Sequence, residues 1–160
     1  MPLQFTDERE LLSYAIHKEE SAHRFYRSLA ETIQNPEAAH VFADLAVDEA
    51  NHRRQLETLW NAISSKPFAI DEKQVDVHPP VIKKQAGAVQ ALDLALDAET
   101  AAAKFYELTA QSTQDSALRR LSVELAKQEW GHYETLSAEK NAIIESFYWF
   151  DVEYSAYVED

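Results

Sequence analysis

Residues 45–52 read LAVDEANH and residues 125–132 read LAKQEWGH. Both stretches keep Leu-Ala-x-x-Glu-x-x-His. The first supplies Leu45, Ala46, Glu49 and His52, and the second Leu125, Ala126, Glu129 and His132. The offset between them is 80 residues (125 − 45 = 80). Outward at the same offset, Ala15, Glu19, Ala22, Phe25, Tyr26 and Ala30 recur as Ala95, Glu99, Ala102, Phe105, Tyr106 and Ala110, and Leu56 recurs as Leu136. A period this long, present twice, is no solenoid repeat. It marks a duplicated helical hairpin.

The surrounding sequence favours long helices. Alanine, leucine and glutamate recur throughout, and only Gly87 and Gly131 interrupt them. A first helix is predicted from about Thr6, as N-cap, to about Gln34. Asn35 then caps a second, with Pro36 in its first turn, which ends near Ser64-Ser65-Lys66-Pro67. A third runs from about Lys84 to Ser112. Thr113-Gln114-Asp115 makes a short turn, and a fourth helix starts near Ser116. Residues 66–84, with Asp76, His78 and the Pro79-Pro80 pair, form a crossover that cannot be helix interior. Two tight hairpins joined by one long crossover predict an all-α, ferritin-like four-helix bundle. It occupies residues 1–160 as one domain, with an aromatic C-terminal extension over 141–160.

Helical spacing places the repeated acids on the apolar faces. Glu19 lies within the stripe Leu12, Ile16, Tyr26, Leu29 and Ile33. Glu49 and His52 interrupt Val41, Leu45, Leu56, Leu59 and Ile63. Leu92, Ala95, Ala102 and Tyr106 bracket Glu99, and Leu118, Leu121, Leu125 and Leu136 bracket Glu129 and His132. Depth agrees. Glu19 and Glu99 each precede their turn by ~16 residues, and the Glu-x-x-His pairs follow it by ~14–17, so at about 1.5 Å per residue all six reach one layer.

Four carboxylates gathered in a dry interior repel one another, and each costs several kcal/mol to bury unpaired. Two divalent cations balance them. Four Glu and two His with paired Glu-x-x-His form the carboxylate-bridged di-metal arrangement. Oxygen and nitrogen donors suit two iron ions or manganese, and zinc substitution is chemically possible. The candidate metal ligands and catalytic residues are Glu19, Glu49, His52, Glu99, Glu129 and His132.

Composition narrows the function. The chain has no cysteine, which excludes disulfides, thiol catalysis and thiolate-held metal. Its net charge of −13 opposes nucleic-acid and membrane-surface binding. No apolar run is long enough to span a bilayer. The N-terminus lacks the pattern of a secretory signal, so a cytoplasmic location is expected.

The phrases Glu19-x-x-Ala22-x-x-Phe25-Tyr26 and Leu45-Ala46-x-x-Glu49-x-x-His52, with their copies at Glu99 and Leu125, resemble the rubrerythrin branch of the ferritin-like superfamily. The similarity covers about residues 8 to 140. It implies that Glu49 and Glu129 bridge two irons, that Glu19 and Glu99 are terminal, and that His52 and His132 cap one iron each. It implies that Tyr26 and Tyr106 hydrogen-bond ligand carboxylates, and that the activity is reduction of hydrogen peroxide. Two features depart from the family. Rubrerythrins usually carry a four-cysteine rubredoxin-type module, so a separate electron-donor protein is expected here. They also have a further ligand Glu one turn along the third helix, where this chain has Leu96 and Ala102. The symmetric six-ligand set equally suits oxidation of ferrous iron by oxygen or peroxide. Non-catalytic iron binding, storage or delivery is the alternative, and a di-manganese or mixed-metal oxygenase would require a substrate channel.

The remaining histidines, His17, His23, His40 and His78, have no counterparts at the offset and are expected at the surface or in loops. Gly131 sits mid-helix between two candidate ligands, where it could leave room for a neighbouring group or small oxidant. Trp60 and Trp130 read as packing residues. Phe147, Tyr148, Trp149, Phe150, Tyr154 and Tyr157 crowd among acidic residues near the C-terminus. They suit either a helical extension packed on the bundle or a subunit interface. A homodimer or higher homo-oligomer is expected.

Overall fold

The computed structural model describes residues 4–76 and 87–156. Four helices carry it: α1 (Glu8–Thr32), α2 (Pro36–Ile63), α3 (Gly87–Ser112) and α4 (Ser116–Ala156). Among the described residues of the crossover, Glu72–Gln74 form a 3-10 turn. Among the described residues there is no strand. Helices α1 and α2 pack as one antiparallel hairpin and α3 and α4 as another, with α2 against α4 between them. Lys84, His78 and the Pro79-Pro80 pair lie outside the described residues, as do the side chains from Tyr148 onward.

The helix starts follow from capping. The Asn35 side chain accepts the Ala38 N–H at 2.9 Å, and the Asp115 side chain accepts the Leu118 N–H at 2.7 Å. The first helix begins later than predicted, because Asp7, not Thr6, is its N-cap and accepts the Glu10 N–H at 2.9 Å. Thr6 donates its own N–H and hydroxyl to the Glu10 carboxylate, closing a reciprocal capping pair.

Two apolar clusters fill the interior. One gathers Tyr26, Leu29, Phe42, Leu45, Leu92 and Leu136 around the α1–α2 turn. The other gathers Leu12, Ile16, Leu56, Tyr106, Leu118 and Leu125 around the α3–α4 turn. The candidate ligands form the layer between them. Phe42 was absent from the predicted stripe, yet it is fully buried and stacks on Tyr26. In α3, Ala103 is buried and Ala102 is not.

His17 corrects the sequence expectation most clearly. It is buried, not at the surface. Its Nδ1 donates to the Ser13 carbonyl at 2.7 Å, and its Nε2 accepts the Asp71 N–H at 3.0 Å. Ser21 accepts the Asp76 N–H, and Arg24 holds Glu72 with two bonds of 2.6 and 2.9 Å. Positions 17, 21 and 24 share one face of α1, so the crossover is strapped along that helix. His23 is half-buried, with Nδ1 2.7 Å from the Ala46 carbonyl, and His40 is exposed as expected.

Gly131 is exposed, and a Cβ built there meets nothing within 4 Å. It therefore makes room for no neighbour. Its φ is not positive, so the backbone has no need of glycine. Gly131→Ala should stabilise the metal-free protein by about 1 kcal/mol, raising the thermal midpoint by ~2–4 °C. A lower midpoint in a calorimetric melt would contradict this.

Candidate metal centre

All six predicted residues come together, and each is less than a tenth exposed. They form two overlapping groups, Glu19–Glu49–His52–Glu129 and Glu49–Glu99–Glu129–His132, each with its ligand atoms within 4.8 Å of one another. Glu49 and Glu129 belong to both. The two imidazoles stack with centroids 5.5 Å apart. The i, i+3 spacing on α2 and α4 puts each Glu and its His on one face.

The outer nitrogens fix how the imidazoles present themselves. His52 Nε2 donates to the Gln128 side-chain oxygen at 2.9 Å, and His132 Nε2 lies 3.1 Å from an Asp48 carboxylate oxygen. Both rings therefore turn Nδ1 toward the acids. His52 Nδ1 lies 3.0, 3.2 and 3.6 Å from oxygens of Glu49, Glu129 and Glu19. It nevertheless makes no hydrogen bond of good geometry, and neither do Glu49 Oε2, Glu99 Oε2 or Glu129 Oε1. Buried polar atoms rarely stay unpartnered. Orphaned oxygens converging on an orphaned imidazole nitrogen fit cations, and the donor set suits two divalent ions.

Neighbouring Glu20 supplies the contrast. It is also buried, but it reaches Arg24 at 2.7 Å and Arg53 at 2.5 Å. Burial alone would raise its pKa, yet the two guanidiniums hold it below the usual carboxylate range. No Lys or Arg ion-pairs with the four layer acids among the described residues. Protons take the place of cations there. Burial and the nearby Glu49 charge push Glu19 far up, and burial above all pushes Glu99 to about 8. Burial would also raise Glu49, but contacts from His132, His52 and Glu19 outweigh it and hold it at about 2. Burial and the Glu49 charge would raise Glu129, and His132 and His52 hold it low instead. Burial would lower His132, but Glu129, Glu49 and Glu99 raise it to about 12. His52 is raised likewise by Glu129, Glu19 and Glu49 against the opposing effect of burial. Glu19 and Glu99 are thus driven toward the neutral acid, Glu49 and Glu129 toward the carboxylate, and His52 and His132 toward the imidazolium.

The tyrosines cross between hairpins. Tyr26 donates to Glu99 and Tyr106 donates to Glu19. Burial and the acids around them push both phenols well above their ordinary pKa, so they remain donors. A cavity of about 410 Å³ between α1 and α3 opens on Glu19, Glu49, Glu99 and Glu129. Ala102 lines it and Leu96 packs on the core, so no seventh acid stands one turn from Glu99. Asp48 and Gln128 were not singled out from sequence. The available signal was their place immediately before each repeated Glu.

Solved structures of other proteins share this fold. A hypothetical protein from Pyrococcus furiosus has 29% identity over 88% of this chain and 92% of its own, with a TM-score of 0.74. An uncharacterised conserved protein from Magnetospirillum magnetotacticum has 24% identity over 85% and 95%, with a TM-score of 0.70. A manganese catalase from Anabaena shares the fold at 15% identity, over 89% and 77%, with a TM-score of 0.68. No curated protein matches the chain. The rubrerythrin family model matches residues 10–140, a span that holds all six layer residues and both tyrosines. On that match, the chain belongs to the rubrerythrin family.

Proposed function

We propose that this chain binds two iron ions in the central layer and reduces hydrogen peroxide to water. One observation carries it: two buried four-ligand groups share Glu49 and Glu129, with orphaned donor atoms facing inward. Glu49 and Glu129, common to both groups, would be shared by the two ions, Glu19 and His52 would complete one position, and Glu99 and His132 the other. Four carboxylates then balance two divalent ions. When bound, ferrous ions supply the two electrons that cleave the O–O bond.

The protein does the rest. The cavity between α1 and α3 admits the oxidant to the four carboxylates. Tyr26 and Tyr106 fix the orientation of Glu99 and Glu19. The two apolar clusters keep water from either end of the layer. Each turnover consumes two electrons and two protons per peroxide. These 160 residues hold no cysteine, and in this proposal the electrons return from a redox centre outside them.

Stopped-flow mixing of the Fe(II)-loaded protein with peroxide should oxidise the iron within seconds, faster than mixing with oxygen. Oxidation by oxygen alone would make the protein a ferroxidase. If both oxidants leave the iron ferrous, the redox function is wrong and iron binding alone remains. Metal analysis of protein purified without added metal should find iron; manganese would redirect the proposal to di-manganese chemistry.

A further inference from the structure

Asp48 and Gln128 are equivalent positions in the two halves (48 + 80 = 128). Each backs the imidazole of the other hairpin. His132 Nε2 faces an Asp48 carboxylate oxygen at 3.1 Å, and His52 Nε2 faces the Gln128 amide oxygen at 2.9 Å. The Gln128 amide nitrogen donates to Glu124 at 3.2 Å, which fixes the amide oxygen toward His52. The two supports therefore match in geometry and differ in charge: one imidazole leans on an anion, the other on a neutral amide.

The inner residues are alike in type, since each group has three glutamates and one histidine and shares two of the glutamates. The difference in charge lies just outside them. A carboxylate behind a ligating imidazole strengthens Nδ1 as a donor and adds negative potential at the ion. An amide orients the ring but adds no charge. We infer that the two metal positions are unequal and fill in order. The position completed by Glu99 and His132, backed by Asp48, binds first and more tightly. The position completed by Glu19 and His52, backed by Gln128, fills second. This holds only if two ions bind as proposed above.

Calorimetric titration of the full-length metal-free protein with Co²⁺ tests it. The expected isotherm has two resolved steps, at least about tenfold apart, the low end of the effect of losing such a support. Asp48→Asn, nearly identical in shape, should weaken the tight step ~10–100-fold and merge the two. Gln128→Glu should tighten the weak step. His52→Ala should keep the tight step, and His132→Ala should lose it. Circular dichroism melts of each variant confirm that the fold is retained. Two ions bound with the same profile in wild type and Asp48→Asn would overturn the unequal filling and leave the di-metal centre standing. A tight step that survives His132→Ala would do the same. No cobalt binding at all would overturn the di-metal centre itself.

Discussion

Glu49→Ala or Glu129→Ala alone should empty both metal positions, whereas His52→Ala or His132→Ala should leave one occupied. The two glutamates are the residues common to both ligand groups, and each histidine belongs to one. Metal content per chain should fall from about two ions to near zero in the glutamate variants and to about one in the histidine variants. The count of two follows from the pairing of four carboxylates with divalent cations. The glutamate variants should also lose stability without metal. Each removes a carboxylate held ionised between two imidazoliums, and deleting one partner of a buried charge pair costs about 3–5 kcal/mol. Equal, mild losses of metal in all four variants would show that Glu49 and Glu129 are not shared.

Metal affinity should rise steeply with pH. In the metal-free layer His52 and His132 hold raised pKa values and carry protons, and so do Glu19 and Glu99. Two divalent ions bring four positive charges and displace those four protons. Below the Glu99 value of about 8, each proton displaced adds about a factor of ten per pH unit to the overall binding constant for two ions, up to about 10⁴-fold if all four are released. Above about 8, Glu99 has already released its proton and the slope drops by one. Calorimetry in buffers of different ionisation enthalpy counts the protons directly. Release of one proton or none per pair of ions near pH 7 would mean that the layer does not take its charge balance from protons.

The fold was legible in the sequence because its cues are local. Asn35-Pro36 stops one helix and caps the next, and the repeated Glu-x-x-His phrase supplies register as well as chemistry. Equal spacing from the two turns places six distant residues in one layer. What stayed hidden depends on contacts that local pattern does not encode. His17 has no counterpart in the repeat, and its far nitrogen holds the Asp71 N–H, 54 residues away in the crossover. Phe42 sits one position beyond Val41; it is fully buried against Tyr26, while Val41 packs on the same cluster only partly buried. Gly131 drew attention through its place between ligands, yet it faces open space. The C-terminal aromatics read as a helical extension or an interface. The fourth helix continues to Ala156, with Phe147 65% exposed on it. We propose that this stretch serves a second subunit, as aromatic side chains commonly do at interfaces.

Every support in the layer crosses from one hairpin to the other: Tyr26 to Glu99, Tyr106 to Glu19, His52 to Gln128 and His132 to Asp48. Two identical copies of the first hairpin, joined the same way, would put an aspartate behind both imidazoles. Two copies of the second would put a glutamine behind both. A self-paired ancestor of either kind is bound by symmetry to two alike ends. Joining the copies in one polypeptide removes that bond, and a substitution in one half can then alter one end of the centre while its twin stays as it was.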